Sequence, residues 1–422
     1  MRYLIPLCLI AFLATPSSAE NWLRFRGPNG AGRSADKQIP TTWSTKENLK
    51  WKAKLPGRGA SSPIIVGERV FLTCFSGYGG GGLDSQQSAL RRHVVCLNKA
   101  DGKIVWDKKV KPVLPEDSDR GQIAGHGFAS STPVSDGKQI YVFFGKTGVL
   151  AYDLKGNQKW QVSVGTNPSP RGWGSAASPV LYKNLVIVNA IVEGEAIVAL
   201  DKTSGKVVWR AKAPGYNQCW STPLLVKVKD KTELVINVPN EIWGLNPDSG
   251  KLKWYADVLP GGAMCTSMVA KDGIVYAIGG RRAGGAAVRV GGQGDVTKSH
   301  VVWQNNIGSY VTSPVVQGDH LYWVSDRGVA TCVSTKSGKE VFRQRINAPG
   351  RVYASVTLAN GKLYAVTRYD GVFVFAAKPK YKQIAHNRLA GDESIFNASP
   401  VVVDSQLFLR SDRYLYCVAK KK

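Results

Sequence analysis

This chain of 422 residues contains arginine, aromatic and acidic side chains of the types that form recognition surfaces. Arginine beside tryptophan or tyrosine is typical of the residues that dominate binding at interfaces, and guanidinium groups hold carboxylates through paired hydrogen bonds. We therefore expect these side chains to bind an anionic or carbonyl-rich ligand. The candidate ligand-binding residues are Arg58, His126, Arg171, Trp173, Gln218, Trp220, Asp326, Arg327, Arg351, Tyr353, Arg368 and Glu393.

The spacing of the other polar residues indicates neither catalysis nor metal binding. No pair among the five histidines has the spacing of zinc ligands, and the chain contains no Gly-x-Ser-x-Gly nucleophile motif. No two cysteines are adjacent, and there is no Cys-x-x-Cys. The sequence therefore predicts no catalytic residue and no metal site.

A repeat explains most of the conspicuous residues. A tripeptide of the type Ser-x-Pro precedes a β-rich stretch eight times, twice in degenerate form, and from Pro133 onwards successive copies are 42 to 46 residues apart. The copies lie at residues 61–63, 131–133, 177–179, 221–223, 266–268, 312–314, 354–356 and 398–400. A period of about 45 residues with short alternating strands is typical of the four-stranded blades of a β-propeller.

A second signal marks the last two strands, C and D, of several blades. An Asp/Asn-x-x-x-Gly-Lys turn is followed by a strand that ends in tryptophan, as in the segment from Asp201 to Trp209. The final blade lacks strand D, and Leu49-Lys50-Trp51 resembles a strand D without a blade of its own. We therefore predict an all-β, eight-bladed propeller of antiparallel blades at 51–422, closed by an N-terminal strand that ends an extension at 20–50.

The cysteines fit the same repeat. Three of the six that follow the N-terminal region occupy one position in strand C, where other blades have alanine or glycine: Cys96, Cys332 and Cys417. Free cysteine packs as a small apolar residue, so we expect these three to be buried. Exported chains permit disulfides, and the states of Cys74, Cys219 and Cys265, including a bridge between the last two, stay open.

The candidate residues should meet at one end of the channel. In an antiparallel blade the connections from strand D to the next strand A, and the loops from strand B to strand C, lie at the same edge. The candidates fall in these connections. We also assign the two long insertions, about 75–92 and 279–300, to B–C loops at that edge. The expected site is therefore a loop-rich mouth of the channel.

The N-terminus and the charge restrict the partners. Arg2, the apolar stretch 3–13 and Ser17-Ser18-Ala19 are typical of a signal peptide cleaved near Ala19, so we expect a periplasmic or secreted monomer without a transmembrane span. The formal net charge of +26 favours anionic partners. We expect an envelope protein or an anionic polysaccharide, and export makes nucleic acid a poor candidate.

The tryptophan unit resembles the motif of quinoprotein alcohol dehydrogenases and of the propeller lipoprotein of the outer-membrane barrel-assembly machine. The segment Asn21-Trp-Leu-Arg-Phe-Arg-Gly-Pro-Asn-Gly30 is similar to the mature start of exported members of that superfamily. The resemblance implies either a binding propeller without a cofactor or an oxidoreductase that uses pyrroloquinoline quinone with Ca²⁺ on an alcohol or sugar. The enzymes' adjacent cysteine pair is missing, and Cys8 does not fit a lipid anchor. We therefore favour a non-catalytic protein- or polysaccharide-binding module, with the oxidoreductase as the alternative.

Overall fold

A computed structural model describes residues 21–79, 86–280, 284–348 and 350–420. Eight antiparallel four-stranded sheets, one of them joined by a short fifth strand in parallel, follow one another along the chain, which confirms the predicted eight-bladed propeller. The predicted signal peptide lies outside the described residues. Within the described residues, no helix is long and apolar enough to cross a bilayer.

The strands of each blade run in order from A, nearest the channel, to D. Blade 1 consists of Ile64–Val66, Arg69–Ser76, Arg91–Asn98 and Ile104–Val110, and blade 2 consists of Val134–Ser135, Gln139–Phe143, Val149–Asp153 and Gln158–Val162. Blade 3 consists of Val180–Tyr182, Leu185–Ala190, Ala196–Asp201 and Val207–Lys212, and blade 4 consists of Leu224–Val228, Lys231–Val238, Glu241–Leu245 and Leu252–Asp257. Blade 5 consists of Val269–Lys271, Ile274–Ile278, Gly285–Arg289 and Val301–Asn305, and blade 6 consists of Val315–Gln317, His320–Val324, Val329–Ser334 and Glu340–Arg345. Blade 7 consists of Thr357–Ala359, Lys362–Val366, Val372–Ala376 and Gln383–Asn387.

Blade 8 closes the ring with a strand from the other end of the chain. Its strands A to C are Val401–Val403, Gln406–Arg410 and Tyr414–Val418, and its strand D is Leu49–Lys54. The last two strands pair antiparallel, with Trp51 opposite Cys417. The predicted closure is therefore confirmed, and the closing strand extends beyond Trp51 to Lys54.

The tryptophan at strand D explains the small residue in strand C. Trp254 lies directly opposite Gly244, where a β-carbon would come within 2.0 Å of the indole. Cys96, Cys332 and Cys417 occupy the corresponding positions and are fully buried. Their partners across the strands are Trp106, Phe342 and Trp51. The prediction that these cysteines fill a packing position is therefore confirmed.

Five of the strand D tryptophans join neighbouring blades, whereas the indole N–H of Trp254 donates to Glu233 of its own blade. The indole N–H of Trp209 in blade 3 donates to the carbonyl of Pro247, in the C–D turn of blade 4, at 3.1 Å. Gly250 of that turn has a φ of 72° and lies against the same ring. Equivalent indole bonds join Trp51 to Lys99, Trp106 to Leu154, Trp160 to Lys202 and Trp303 to Thr335. The turn motif and the tryptophan are thus two halves of one inter-blade contact.

One assignment of an insertion was wrong. The glycine-rich stretch after residue 279 contains strand C of blade 5, Gly285–Arg289, in which Ala287 lies opposite Trp303. The extra residues therefore form the C–D connection at the opposite edge, with a short helix Thr297–His300 and a strand Gly294–Asp295 that pairs in parallel with strand D of blade 4. The small side chains that suggested a loop are those that fit beneath Trp303.

Blade 1 has two long connections at the edge of the predicted mouth. One is the connection between strands B and C, which contains the 3₁₀ turn Gln87–Ala89. The other lies between blades 1 and 2 and contains helix α1, Gln122–His126. The remaining short helical segments are Pro28–Gly30, Gly145–Thr147 and Ile191–Gly194.

Candidate functional site

A ring of hydroxyl groups lines the channel where the strands A begin. The middle residue of every Ser-x-Pro copy is serine or threonine. In the seven copies after the first, its oxygen accepts a hydrogen bond from the backbone N–H of the corresponding residue one blade earlier. The donor–acceptor pairs, at 2.9 to 3.1 Å, are Ser62–Thr132, Thr132–Ser178, Ser178–Thr222, Thr222–Ser267, Ser267–Ser313, Ser313–Ser355 and Ser355–Ser399. The motif therefore fixes the inner wall of the propeller.

The segment that follows the predicted signal peptide forms a floor across one end of this channel. Trp22 pairs with Ile65 of blade 1, and Ser34 N–H donates to Leu358 of blade 7 at 2.9 Å. Between them, Arg24 donates to the carbonyl of Pro223 in blade 4, and Arg26 donates to carbonyls of blade 6. The segment thus contacts the inner strands on both sides of the ring.

The two floor arginines have no carboxylate within ion-pair distance in the part of the chain that the structure describes. Arg26 is only 3% exposed, and its donors are used by the carbonyls of Gly30, Ser313 and Pro314. Burial lowers the pKa of Arg24 to about 10 and that of Arg26 to about 9. Both groups stay charged at neutral pH, and their role in this position is to hold the floor against the blades.

Helix α1 forms a roof over the other end. The carbonyl of Gly125 accepts hydrogen bonds from Arg368 Nη2 at 3.1 Å and from Asn397 Nδ2 at 2.6 Å. The hydroxyl of Tyr353 donates to Gln122 Oε1 at 3.3 Å. These three side chains belong to the connections around blades 7 and 8, whereas α1 leaves blade 1. The insertion therefore reaches across the mouth and is bonded on its far side.

Aromatic rings form one wall beneath the roof. Trp173 and Trp220 have ring centroids 4.9 Å apart, and Tyr310 meets Trp173 edge-on at 5.9 Å. The guanidinium of Arg171 lies 5.4 Å from the Trp173 ring. The indole N–H of Trp220 donates to the carbonyl of Gly174 at 2.7 Å, which fixes the ring. A cation over a tryptophan face is stabilised by the ring's quadrupole.

Floor, hydroxyl ring, aromatic wall and roof enclose a chamber of about 160 Å³. Phe25 lines it beside the hydroxyls, and Trp173, Trp220, Tyr310 and Tyr353 supply further aromatic surface. None of the described residues that line it is a lysine, arginine, aspartate or glutamate. His126 lines it as well, bonded to Ser130 and to the carbonyl of Trp173, and burial lowers its pKa. The interior is therefore uncharged at neutral pH.

A family profile described as outer membrane protein assembly factor BamB matches residues 41–168, 90–344 and 293–408. These matches extend over almost the whole ring of blades, and their overlap reflects the repeat. The chain belongs to this family. A search of curated proteins found no match.

Solved structures agree with the fold of the BamB-like family. The crystal structure of BamB from Moraxella catarrhalis matches with a TM-score of 0.61 at 14% identity, covering 88% of this chain and 96% of that one. A europium-containing methanol dehydrogenase matches with a TM-score of 0.64 at 12% identity, covering 96% and 98%. A computationally designed protein, Ika8, gives 0.56 at 10%, covering 88% and 99%. At these identities the likeness shows the fold alone.

The structure brings most of the predicted site residues of this family member to one mouth. His126, Trp173, Trp220 and Tyr353 line the chamber itself. A second group lies on the rim outside it, where Asp326 accepts the N–H of Tyr310 at 3.1 Å. That rim group consists of Arg171, Asp326, Arg327 and Arg351. Arg368 holds the roof, as described above.

Three predicted residues are placed differently. Arg58 is paired with Asp412 at 2.9 Å beside blade 8. The backbone carbonyl of Gln218 accepts the N–H of Met264 at 2.9 Å, and its side chain is not among those that line the chamber. Glu393 is exposed. Of the cysteines whose state was open, Cys265 lines the chamber, Cys219 is buried nearby, and both are free, as is Cys74.

Sequence reasoning missed the chamber's lower half and a buried polar cluster under the roof. Arg24, Phe25 and Arg26 lie in a segment that had been noted only for its similarity to other proteins. Glu116 and Asp117, in the connection that carries α1, pair with Arg92 at 2.6 Å and with Lys146 at 3.4 Å. No repeat or spacing marks these residues, because their partners are distant in sequence.

Glu193 belongs to the same cluster under the roof. Its carboxyl is 2% exposed and accepts a hydrogen bond from the hydroxyl of Ser175. Desolvation, with the nearby carboxylates of Asp117 and Glu116, raises the pKa of Glu193 to about 7. A carboxyl group that titrates near neutral pH thus lies next to the ion pairs that hold the roof loop.

Proposed function

We propose that this protein is a periplasmic or secreted binding propeller that recognises an acidic segment of an envelope protein at the rim of the roofed mouth. The observation that carries this proposal is that the rim arginines lack ion-pair partners. Within the described residues, no carboxylate lies within ion-pair distance of Arg171, Arg327 or Arg351. Beside them Tyr369 is 57% exposed, above the guanidinium of Arg368.

The chemistry of this rim suits a protein partner. Unpaired guanidinium groups are available for bidentate bonds to carboxylates, and exposed tyrosine beside arginine is typical of interface hot spots. The formal net charge of +26 would steer an acidic partner towards the molecule. The family's description as an outer membrane protein assembly factor supports a protein partner rather than a polysaccharide.

The alternative, a quinoprotein oxidoreductase, fits the chamber poorly. Pyrroloquinoline quinone carries carboxylates that need cationic or N–H donors, and the described lining contains no arginine or lysine. Calcium takes six to eight oxygen ligands, several of them carboxylates. The described residues contain no group of three or more histidine, cysteine, aspartate or glutamate side chains that could hold a metal ion. We therefore propose that the mouth works without a redox cofactor.

A recovery experiment with matched variants tests the rim. The mature protein is immobilised and exposed to envelope extract, alongside an Arg171→Ala/Arg327→Ala/Arg351→Ala variant. The control variant is Lys206→Ala/Lys251→Ala/Lys339→Ala, which removes the same charge from C–D turns at the floor edge. We expect the wild type and the control to recover the same partner. The rim variant should recover at least tenfold less of it. Equal loss in both variants would indicate general basic attraction and contradict the proposal.

The cofactor part has its own test. Wild-type protein is titrated with pyrroloquinoline quinone and Ca²⁺, with tryptophan fluorescence as the readout because Trp173 and Trp220 face the chamber. We expect no saturable quenching and no dye-linked oxidation of alcohols. Saturable quenching accompanied by oxidation would favour the oxidoreductase.

A further inference from the structure

Three side chains on neighbouring strands of blade 1 are connected in the order of a nucleophilic relay. The hydroxyl of Ser76 lies 2.8 Å from Nε2 of His93. Nδ1 of the same imidazole lies 2.9 Å from both carboxylate oxygens of Asp107. None of the three lines the chamber or belongs to the rim arginines. The arrangement therefore requires an explanation separate from the proposed binding function.

The strand register produces this arrangement. His93 on strand C lies directly opposite Cys74 on strand B, two residues before Ser76. Asp107 on strand D lies opposite Val95, two residues after His93. Residues two apart in a strand share a face, so Ser76 and Asp107 are the two diagonal neighbours of His93. Three rigid strands thus hold the hydroxyl, the imidazole and the carboxylate in line.

The burial of the three side chains and the tautomer of the imidazole suit catalysis. His93 is 2% exposed, and the Asp107 side chain is 21% exposed. Ser76 is half-buried and is the last residue of strand B. The carboxylate favours the tautomer in which Nδ1 carries the proton, so Nε2 is left to accept the proton of Ser76. The base is thus more deeply buried than the nucleophile.

The other histidines lack this connection. The hydroxyl of Ser130 meets His126 Nδ1 at 2.7 Å, but the second nitrogen of that ring bonds to a backbone carbonyl. The hydroxyl of Ser299 meets His300 Nδ1 at 2.8 Å, and no carboxylate lies within ion-pair distance of His300 among the described residues. Of the five histidines, all of them described, only His93 joins a serine hydroxyl to a carboxylate.

We propose that Ser76, His93 and Asp107 form a catalytic site that hydrolyses carboxylic esters. The oxygen of Ser76 bonds to the ester carbonyl carbon while its proton passes to Nε2 of His93. The carbon–oxygen bond to the alcohol then breaks, and the alcohol leaves with that proton. Water adds to the resulting acyl-serine, gives its proton to His93 and releases the acid, which regenerates the hydroxyl of Ser76.

The surroundings select the class of ester. Arg91 lies directly opposite Ser76, and Lys109 lies directly opposite His93, so both cations share the edge with the relay. Lys109 is exposed. Arg91 is half-buried, and its Nη1 donates to the carbonyls of Ser88 and Leu90, whereas its other guanidinium nitrogens have no hydrogen bond among the described residues. An ester that carries a negative charge should therefore bind there more tightly than a neutral one of the same size.

Covalent labelling tests the nucleophile directly. A fluorophosphonate transfers its phosphonyl group to an activated serine, with fluoride leaving and the serine proton taken by the base. We expect mass spectrometry of peptides from the folded wild-type protein to find the label on Ser76. Ser76→Ala should lose it, whereas Ser299→Ala should label at the wild-type rate. Asp107→Asn should slow labelling by about 100-fold or more, because general-base assistance contributes about that much.

Turnover supplies the second readout. We expect the mature protein to hydrolyse 4-nitrophenyl succinate faster than 4-nitrophenyl acetate, and Arg91→Gln to remove the difference without abolishing labelling of Ser76. Wild-type protein that is folded and unlabelled would overturn the proposal, as would Asp107→Asn protein with the wild-type melting temperature and the wild-type labelling rate. These readouts involve no envelope partner, so they succeed or fail independently of the proposed binding function.

Discussion

The two ends of the channel use the same residue type in opposite ways. At the floor, Arg26 is buried and all its contacts are backbone carbonyls of its own chain. At the roofed mouth, Arg351 is exposed and its hydrogen bond goes to the hydroxyl of Tyr353 at 3.4 Å. An arginine whose donors are already used stabilises the fold, whereas one with free donors can bind a partner. This difference supports our proposal that the mouth is the recognition surface.

Removing a floor arginine should have the largest effect. Arg26→Met leaves the carbonyls of Gly30, Ser313 and Pro314 without a donor in a buried position, which should lower the free energy of unfolding by about 3 to 5 kcal/mol. Arg351→Met at the rim should change it by less than about 0.5 kcal/mol. Urea denaturation of both variants provides the measurement. Similar losses at the two positions would remove the contrast between floor and mouth.

The polar cluster under the roof should make stability depend on pH. The pKa of Glu193 is about 7 in the folded protein, above its ordinary value, so the folded state retains a proton that the unfolded state releases. Stability should therefore fall as pH rises from about 4.5 to 7, by up to about 3 kcal/mol for a shift of this size. Melting temperatures at a series of pH values measure the effect.

Glu193→Gln is the matched control for that pH dependence. The amide keeps the shape of the side chain and a hydrogen-bonding partner for Ser175, but it cannot ionise. We expect the variant to lose most of the stability change between pH 5 and 7 and to be the more stable protein at pH 8. An unchanged pH profile would assign the effect to other groups.

The roof should be easier to open than the floor. Arg368→Ala removes the bonds from that guanidinium to Gly125 and Asn397. We expect local opening of residues 122–127 to become easier by about 1 to 2 kcal/mol, with amide hydrogen exchange about tenfold faster there. Arg327→Ala, at the rim but outside the roof, should leave that exchange unchanged. Faster exchange throughout the molecule would mean that the roof is part of the global fold.

The sequence was most informative where the structure repeats. Eight copies of one tripeptide predicted the blade number, and the missing final strand predicted the closure by Leu49-Lys50-Trp51. The small residues opposite each strand D tryptophan followed from the same alignment. The tripeptide and the small-residue position recur from blade to blade, so one chain contained several copies of each signal, and the closure followed because the last copy lacks a strand that the others have.

Contacts that occur once could not be predicted in this way. The partners of Arg24 and Arg26 lie almost 200 to 300 residues away, and Gly125 meets Arg368 only because the ring closes. The B–C loop predicted at 279–300 was wrong because Gly285 and Ala287, which pack under Trp303, are residue types that are common in loops. Ser76, His93 and Asp107 escaped notice because three strands, not a local motif, bring them together.

Site-specific photo-cross-linking tests the central claim, that the roofed mouth is the recognition surface. A photoreactive phenylalanine derivative replaces Tyr369 at the mouth or, in a second protein, Lys206 at the floor edge, and each protein is irradiated in envelope extract. We predict one discrete protein adduct at position 369, which disappears when Arg171, Arg327 and Arg351 are replaced by alanine, and none at position 206. Equal adducts at both positions, or an adduct at 206 alone, would contradict the account.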